Sequence, residues 1–285
     1  MRYEGEEQFA GGSIAVANHI AKFAASATLV TGLGDTDSHE GFIREKLQSN
    51  VTPVFARFKN ARTVTKRRFV DNDLAKLFEV YFFQETPVLE QEGREVCAWL
   101  EDNVGEYDVV VVADFGNGFI TDGMIRALCE NSRFLAVNTQ INSGNRGYHV
   151  INRYLRADFV SLNEPELRLA AHNRHAPLEE VGEKVAGRLA AGHLAVTRGT
   201  KGMMMLDSKS REFHKVPALS SRVIDRVGAG DAFLSLAALC LGKGVAADVS
   251  AFVGSVAAAM DVQIVCNREP IDPTGLKKYV ATLLK

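Results

Sequence analysis

The residues whose types and spacing most clearly suit chemistry are Asp225-Arg226-Val227-Gly228-Ala229-Gly230-Asp231, followed by an almost wholly apolar run from Ala232 to Leu241. Small residues and an acid stand where a loop gives way to a buried helix. The unpaired N–H groups of the first helical turn are therefore expected at Gly228, Ala229 and Gly230. Those donors, with the helix dipole, suit a phosphate or a developing negative charge. Asp231 can take a proton from a nucleophile attacking that phosphate, which implies a hydroxyl acceptor. The same residues also describe a plain glycine-rich entry to a core helix with a first-turn acid favoured by the dipole, and on their own they leave both readings open.

Other candidates punctuate the chain. In Asn163-Glu164-Pro165-Glu166, Asn163 and Glu166 are spaced as a helix N-cap with its reciprocal acid, and equally as an amide and a carboxylate for a hard cation. Thr197-Arg198-Gly199-Thr200-Lys201-Gly202 is either a phosphate-side loop or a glycine-rich hairpin before Met203–Leu206. Asp114 ends the run Asp108–Asp114 and is a ligand or helix-cap candidate. Gly11-Gly12 opens the first helical segment, where a glycine pair is a turn or a place of close backbone approach.

The elements that must position these residues alternate. Helices are expected over Ser13–Phe23, Glu40–Leu47, Val88–Asn103, Asp122–Asn131, Glu164–Ala171, Leu178–Ala191, Ala232–Leu241 and Ala246–Asp261. Strands are expected over Ala27–Gly34, Asp108–Asp114, Phe134–Val137, Asp158–Leu162 and Leu194–Thr197. This pattern predicts an α/β fold with a mainly parallel sheet covered by helices on both faces and ligands at the carboxyl ends of the strands. Thr63–Val70 and Ala75–Phe83 alternate instead like half-exposed antiparallel strands around a turn at Asp71-Asn72-Asp73. They form a lid or an ordinary hairpin on the main sheet.

The chain has 285 residues, 46% of them apolar and 24% charged, enough for one large domain. With 33 basic against 35 acidic side chains and no basic stripe interleaved with aromatics, nothing supports nucleic-acid binding. The four cysteines, Cys97, Cys129, Cys240 and Cys266, lack zinc or disulfide spacing. No apolar run reaches a membrane span, and the polar start carries no leader pattern, so a cytoplasmic protein is expected.

The stretch from Asp225 to Asp231 resembles the D-T-x-G-A-G-D signature of the ribokinase/PfkB carbohydrate kinases, with Arg226 where Thr is usual. The resemblance runs from about Gly11 to the C-terminus and is nearest in pattern to the kinases that phosphorylate heptose phosphate on the way to ADP-heptose. It implies a ribokinase-like domain over residues 1–285, with a small β lid at roughly 61–83, that transfers the γ-phosphoryl group of ATP to a sugar or sugar-phosphate hydroxyl. Carried over, Asp231 is the general base and Gly228, Ala229 and Gly230 the anion hole. Asn163 and Glu166 organise magnesium. Thr197, Gly199, Gly202 and Asp225 lie along the nucleotide, and Asn267 is placed near the adenine. Gly11, Gly12, Asp114 and Asn138 fall on the sugar side.

The chain departs from the family in several places. Ala15 stands where Asn is usual, with Asn18 one turn on, and Asn138-Thr139-Gln140 replaces a common Asp-Pro-Lys. Met1–Gln8 contains no apolar run to supply the family's first strand. The chain is accordingly expected to lack that strand, as a piece of a longer polypeptide or with a partner segment in the gap. A homodimer and an upstream fused domain are both compatible. The competing function is a degenerate, non-catalytic sugar- or nucleotide-binding module. A dehydrogenase is weaker, because no G-x-G-x-x-G opens the first strand–helix turn.

Overall fold

The structure, a computed structural model, describes residues 3–72, 74, 76–83, 90–142, 145, 147–220 and 222–285. The chain begins α1 (Ser13–Ala21), β1 (Ala27–Thr36), α2 (Glu40–Lys46) and β2 (Val51–Arg62). Next come the lid-type strands β3 (Thr65–Val70) and β4 (Lys76–Phe82), then α3 (Glu90–Asn103), β5 (Val110–Asp114), α4 (Asp122–Asn131) and β6 (Leu135–Thr139). After a long loop follow β7 (Phe159–Asn163), α5 (Glu164–Ala171), α6 (Leu178–Arg188), β8 (His193–Thr197), β9 (Met203–Asp207) and β10 (Glu212–Val216). Three helices close the chain: α7 (Ala229–Gly242), α8 (Ala247–Asp261) and α9 (Pro273–Leu283).

Six strands form the main sheet in the order β10-β9-β8-β7-β6-β5. From β5 to β8 the pairing is parallel, and β9 and β10 add an antiparallel hairpin edge. Alternation along each strand divides the core between two faces. Val137, Val160, Leu194 and Met204 face α3 to α6, whereas Ala136, Phe159, Ala195 and Met205 face α7 and α8. Both faces being dry explains why these strands are nearly continuous apolar runs.

The expected strands and helices are present, with shifted ends. Three elements had no counterpart in the sequence reading: β2, β10 and α9. In β2 the apolar residues are interrupted by Pro53 and basic side chains, a pattern tolerated because β2 is an edge strand. Among the described residues the lid hairpin pairs β3 with β4 and no other strand, which decides against an ordinary hairpin on the main sheet. Asp73 of its expected turn, Ala75 at the expected start of its second strand, and the expected helix start at Val88 lie outside the described residues.

The sheet is not continuous. β1 and β2 form a separate parallel pair, and β1 makes no ladder with β5. Tyr107, just before β5, donates from its hydroxyl to Thr28 Oγ1 at the start of β1 (2.8 Å). Phe119, just after β5, packs on Phe58 and on Gly32 further along β1. The two strands therefore run in the same direction with an unpaired edge each. The large cleft of about 3840 Å³ extends between them, lined by Leu29 and Val30 on one side and Val109 and Val111 on the other. No helix among the described residues is long and apolar enough to cross a membrane.

Candidate active site

Helix α7 begins at Ala229, three residues earlier than the apolar run suggested, because the chain turns into it at Gly228 (φ 100°). Only glycine suits that position: a Cβ there would collide with Asn267 Oδ1 and Asp261 Oδ2. No side chain caps the helix, and the first intrahelical bond runs from Ala232 N–H to Gly228 O (2.9 Å). The N–H groups ahead of that bond are those of Gly228, Ala229 and Gly230, the three the sequence pointed to, together with that of Asp231.

Asp231 stands in this first turn. Burial pushes its carboxyl up to about 7, aided by the negative field of Glu166 and opposed by the Lys66 ammonium. A carboxylate so placed is poised to accept a proton near neutral pH. Asp225 plays a different part. Although burial opposes ionisation, the N–H groups of Val227 (3.1 Å) and Cys266 (3.0 Å) hold its carboxyl below the usual range. Asp225 thereby ties the Gly-Ala-Gly turn to the loop after α8.

That loop brings Asn267 between Gly228 and Gly11, 3.4 Å from where a Cβ on Gly11 would lie. Gly12 is the N-cap of α1, with the Phe115 ring against it. Gly11, Gly228 and Asn267, distant in sequence, are therefore neighbours. Asn18 does not take the place of the missing amide at Ala15. It is buried, donating to Lys46 O (2.9 Å) and accepting from Gln48 N–H (3.0 Å), and so pins α1 to the segment before β2.

On the sheet side, Asp114 ends β5 but caps no helix. Its carboxylate accepts from the Tyr154 hydroxyl (2.9 Å) and Gly116 N–H (3.2 Å), and His149 Nε2 lies 2.8 Å away. Asn138 donates to Ser161 O (2.7 Å) at the cleft wall. Asn163 and Glu166 form a reciprocal capping box at the start of α5, each accepting from the other's N–H at 2.8 Å. Glu166 also accepts from Ile141 N–H (3.3 Å), and burial raises its pKa. Thr197, Gly199 and Gly202 form the tight connection from β8 to β9. Gly202 (φ 75°) packs against Val216 O, and Arg198 reaches Glu164 (3.1 Å). The Asn163 and Thr197 segments together line a shallow pocket of about 520 Å³.

Two features escaped sequence reading. His19 on α1 accepts from Ile271 N–H (3.1 Å) through Nδ1, and its Nε2 faces Asp261 at 3.8 Å. Burial lowers His19 to about 4. It raises Asp261 to about 8, with Asp231 and Asp225 adding to that rise. Asp261 was legible only as the last residue of an apolar helix. The other feature is Lys66, carried toward Asp231 by the lid strand β3.

Residues 4–272 match the family described as the pfkB family carbohydrate kinases. The chain belongs to this family. It is therefore a carbohydrate kinase with the family's ribokinase-like α/β fold. It is similar to the bifunctional protein HldE of Pelobacter propionicus, 23% identical over 261 residues, which covers 90% of this chain and 52% of that protein. The chain thus spans about half the length of such curated relatives. Among solved structures it resembles phosphofructokinase-2 from Escherichia coli in complex with potassium, with a TM-score of 0.77 and 18% identity, covering 100% of this chain and 93% of that one. It also resembles ribokinase from Arabidopsis thaliana complexed with ribose and ATP, with a TM-score of 0.70 and 18% identity, covering 98% and 93%. At these identities the structures speak for the fold.

Proposed function

We propose that this carbohydrate kinase transfers the γ-phosphoryl group of ATP to a hydroxyl of a sugar or sugar phosphate, with Asp231 as general base. The observation that carries the reading is the junction of an uncapped helix start with a half-buried carboxylate at the cleft, pushed up to about 7. The N–H groups of Gly228, Ala229 and Gly230 receive the oxygens of the transferring group, where charge is concentrated in the transition state. Asp231 takes the proton of the acceptor hydroxyl as that oxygen attacks. Thr197, Gly199, Gly202 and Asp225 are assigned to the nucleotide side, with Asn267 beside the anion turn. Gly11, Gly12, Asp114 and Asn138 are assigned to the acceptor side, Asp114 acting by ordering its loop through Tyr154 and His149. ATP is the expected donor, as in the Arabidopsis ribokinase structure.

Magnesium fits this site in a limited way. Each Glu166 oxygen receives a backbone N–H and keeps a further lone pair. Among the described residues no three acidic, histidine or cysteine side chains gather as a metal cage. Such a donor set suits an ion held mainly by nucleotide phosphates and water, with Glu166 and Asn163 acting through that water. When bound, the ion would neutralise charge on the phosphates.

The test is ATP-dependent phosphorylation of a panel of sugars and their monophosphates. Binding of nucleotide and acceptor without turnover on any of them would favour a non-catalytic module. The departures at Ala15, Asn138 and Gln140 are where such a loss would originate.

A further inference from the structure

We infer that Lys66, supplied by the lid, is a catalytic residue that meets the transferring phosphoryl group opposite the Gly-Ala-Gly turn. The inference rests on the kinase reading above. On β3, Lys66 and Arg68 share a face, being two residues apart. They are not equivalent. Arg68 is neutralised by Glu79 (2.7 Å) and reaches Cys266 Sγ (3.8 Å) on the loop that holds Asp225. Lys66 has no such ion pair among the described residues. Its ammonium lies 5.0 Å from the centre of the Tyr81 ring on β4 and 5.8 Å from that of Phe115, the ring packed against Gly12.

Lys66 therefore spans from the lid to the acceptor wall, within electrostatic reach of Asp231. Burial lowers its pKa, with Glu79 and Asp231 opposing that shift. A cation held by aromatic faces and left without a carboxylate partner is available to an anion that enters the cleft. The Gly-Ala-Gly turn offers three neutral donors to such an anion, and Lys66 supplies the full charge they lack. During transfer the acceptor oxygen–phosphorus bond forms as the bond from phosphorus to the ADP oxygen breaks. The acceptor proton passes to Asp231, and Lys66 stabilises the phosphoryl oxygens without exchanging a proton.

The experiment measures affinities for ADP, and for ADP with aluminium fluoride as a mimic of the phosphoryl group in flight, by calorimetry with magnesium present. It compares the full chain with Lys66→Met and Lys66→Arg, each first checked for cooperative melting. ADP affinity should stay within about twofold, while Lys66→Met loses about tenfold or more of the added affinity conferred by the fluoride and Lys66→Arg recovers part of it. This readout needs no knowledge of the acceptor, and a purely structural lysine would not move it. Full retention of the fluoride effect in Lys66→Met overturns the assignment and leaves the kinase reading standing. A wild-type chain that binds no nucleotide, or gains nothing from the fluoride, removes the kinase reading and this inference with it. Should Lys66→Met not fold, Lys66→Gln gives the same comparison.

Discussion

The two halves of the molecule are built to different standards. In the six-stranded sheet, Leu135, Val137, Phe159, Val160, Leu194 and Val196 have no exposed surface, and α7 and α8 seal one face. In the first third, β1 and β2 pair, among the described residues, only with each other, and the lid strands leave Phe69 and Phe78 exposed, stacked on one another at 4.4 Å. The proposed base and anion turn stand on the rigid half. The lid cations and the glycines Gly11 and Gly12 proposed for the acceptor side belong to the open half. Motif content and completeness of the sheet are therefore separate properties: the first is local, the second depends on what fills the space between β1 and β5.

The sharpest test of the rigid half is Asp231→Asn. Turnover should fall by at least about a hundredfold, with melting temperature and ATP affinity nearly unchanged. Near-normal turnover would reduce Asp231 to a helix-start acid. Gly228→Ala is expected next in size. It forces a Cβ into an unfavourable φ and onto Asn267 and Asp261, costing about 1–3 kcal/mol from backbone strain alone. Thermal melting should show the loss and steady-state kinetics a lower rate. An unchanged melting curve would mean that the turn adapts.

The open half is tested by filling its gap. We propose that the slot between β1 and β5 takes a parallel apolar strand. A version of the chain carrying a short β-branched segment before Met1 should then melt higher by roughly 5 °C or more and self-associate less, since unpaired edges promote association. Light scattering and melting curves identical to those of the original chain would count against the slot.

A smaller effect contrasts the two buried groups that join the halves, His19 and Asp261. With Asp261 raised to about 8, the folded state retains a proton that the unfolded chain releases near its ordinary carboxylate pKa. This makes stability fall as pH rises toward 8. His19, lowered to about 4, acts oppositely, but only up to its unfolded value of 6.5. Between pH 6.5 and 8 the Asp261 effect is no longer offset by His19. The melting temperature should drop by roughly 5 °C across that window and stay flatter in Asp261→Asn. A wild-type curve level from pH 6.5 to 8 would contradict the assignment. The smallest effect is expected for Glu166→Gln, which should raise the magnesium concentration for half-maximal rate by a modest factor. Unchanged magnesium dependence with a lower melting temperature would make Glu166 a capping residue alone.

The sequence by itself determined the alternation of strands and helices, an antiparallel hairpin over roughly 63–83 and the Gly-Ala-Gly turn before Asp231. Each of these follows from local rules: apolar runs in strands dry on both faces, alternation in half-exposed ones, and free N–H groups wherever a helix begins. It misplaced the start of α7 because composition marks where a helix becomes apolar, whereas the positive φ of Gly228 decides where it starts. It missed β2 and β10, whose polar and interrupted patterns are those of edge strands. Only the tertiary structure decided the rest. Asp231 owes its raised pKa to burial by distant segments, and Asp114 is claimed by Tyr154 and His149 from a later loop. His19 meets Asp261, and Lys66 approaches Asp231, across spans of chain that no local pattern connects. Proximity of this kind arises from packing of the whole chain, and burial then sets the charge of each group that packing brings together.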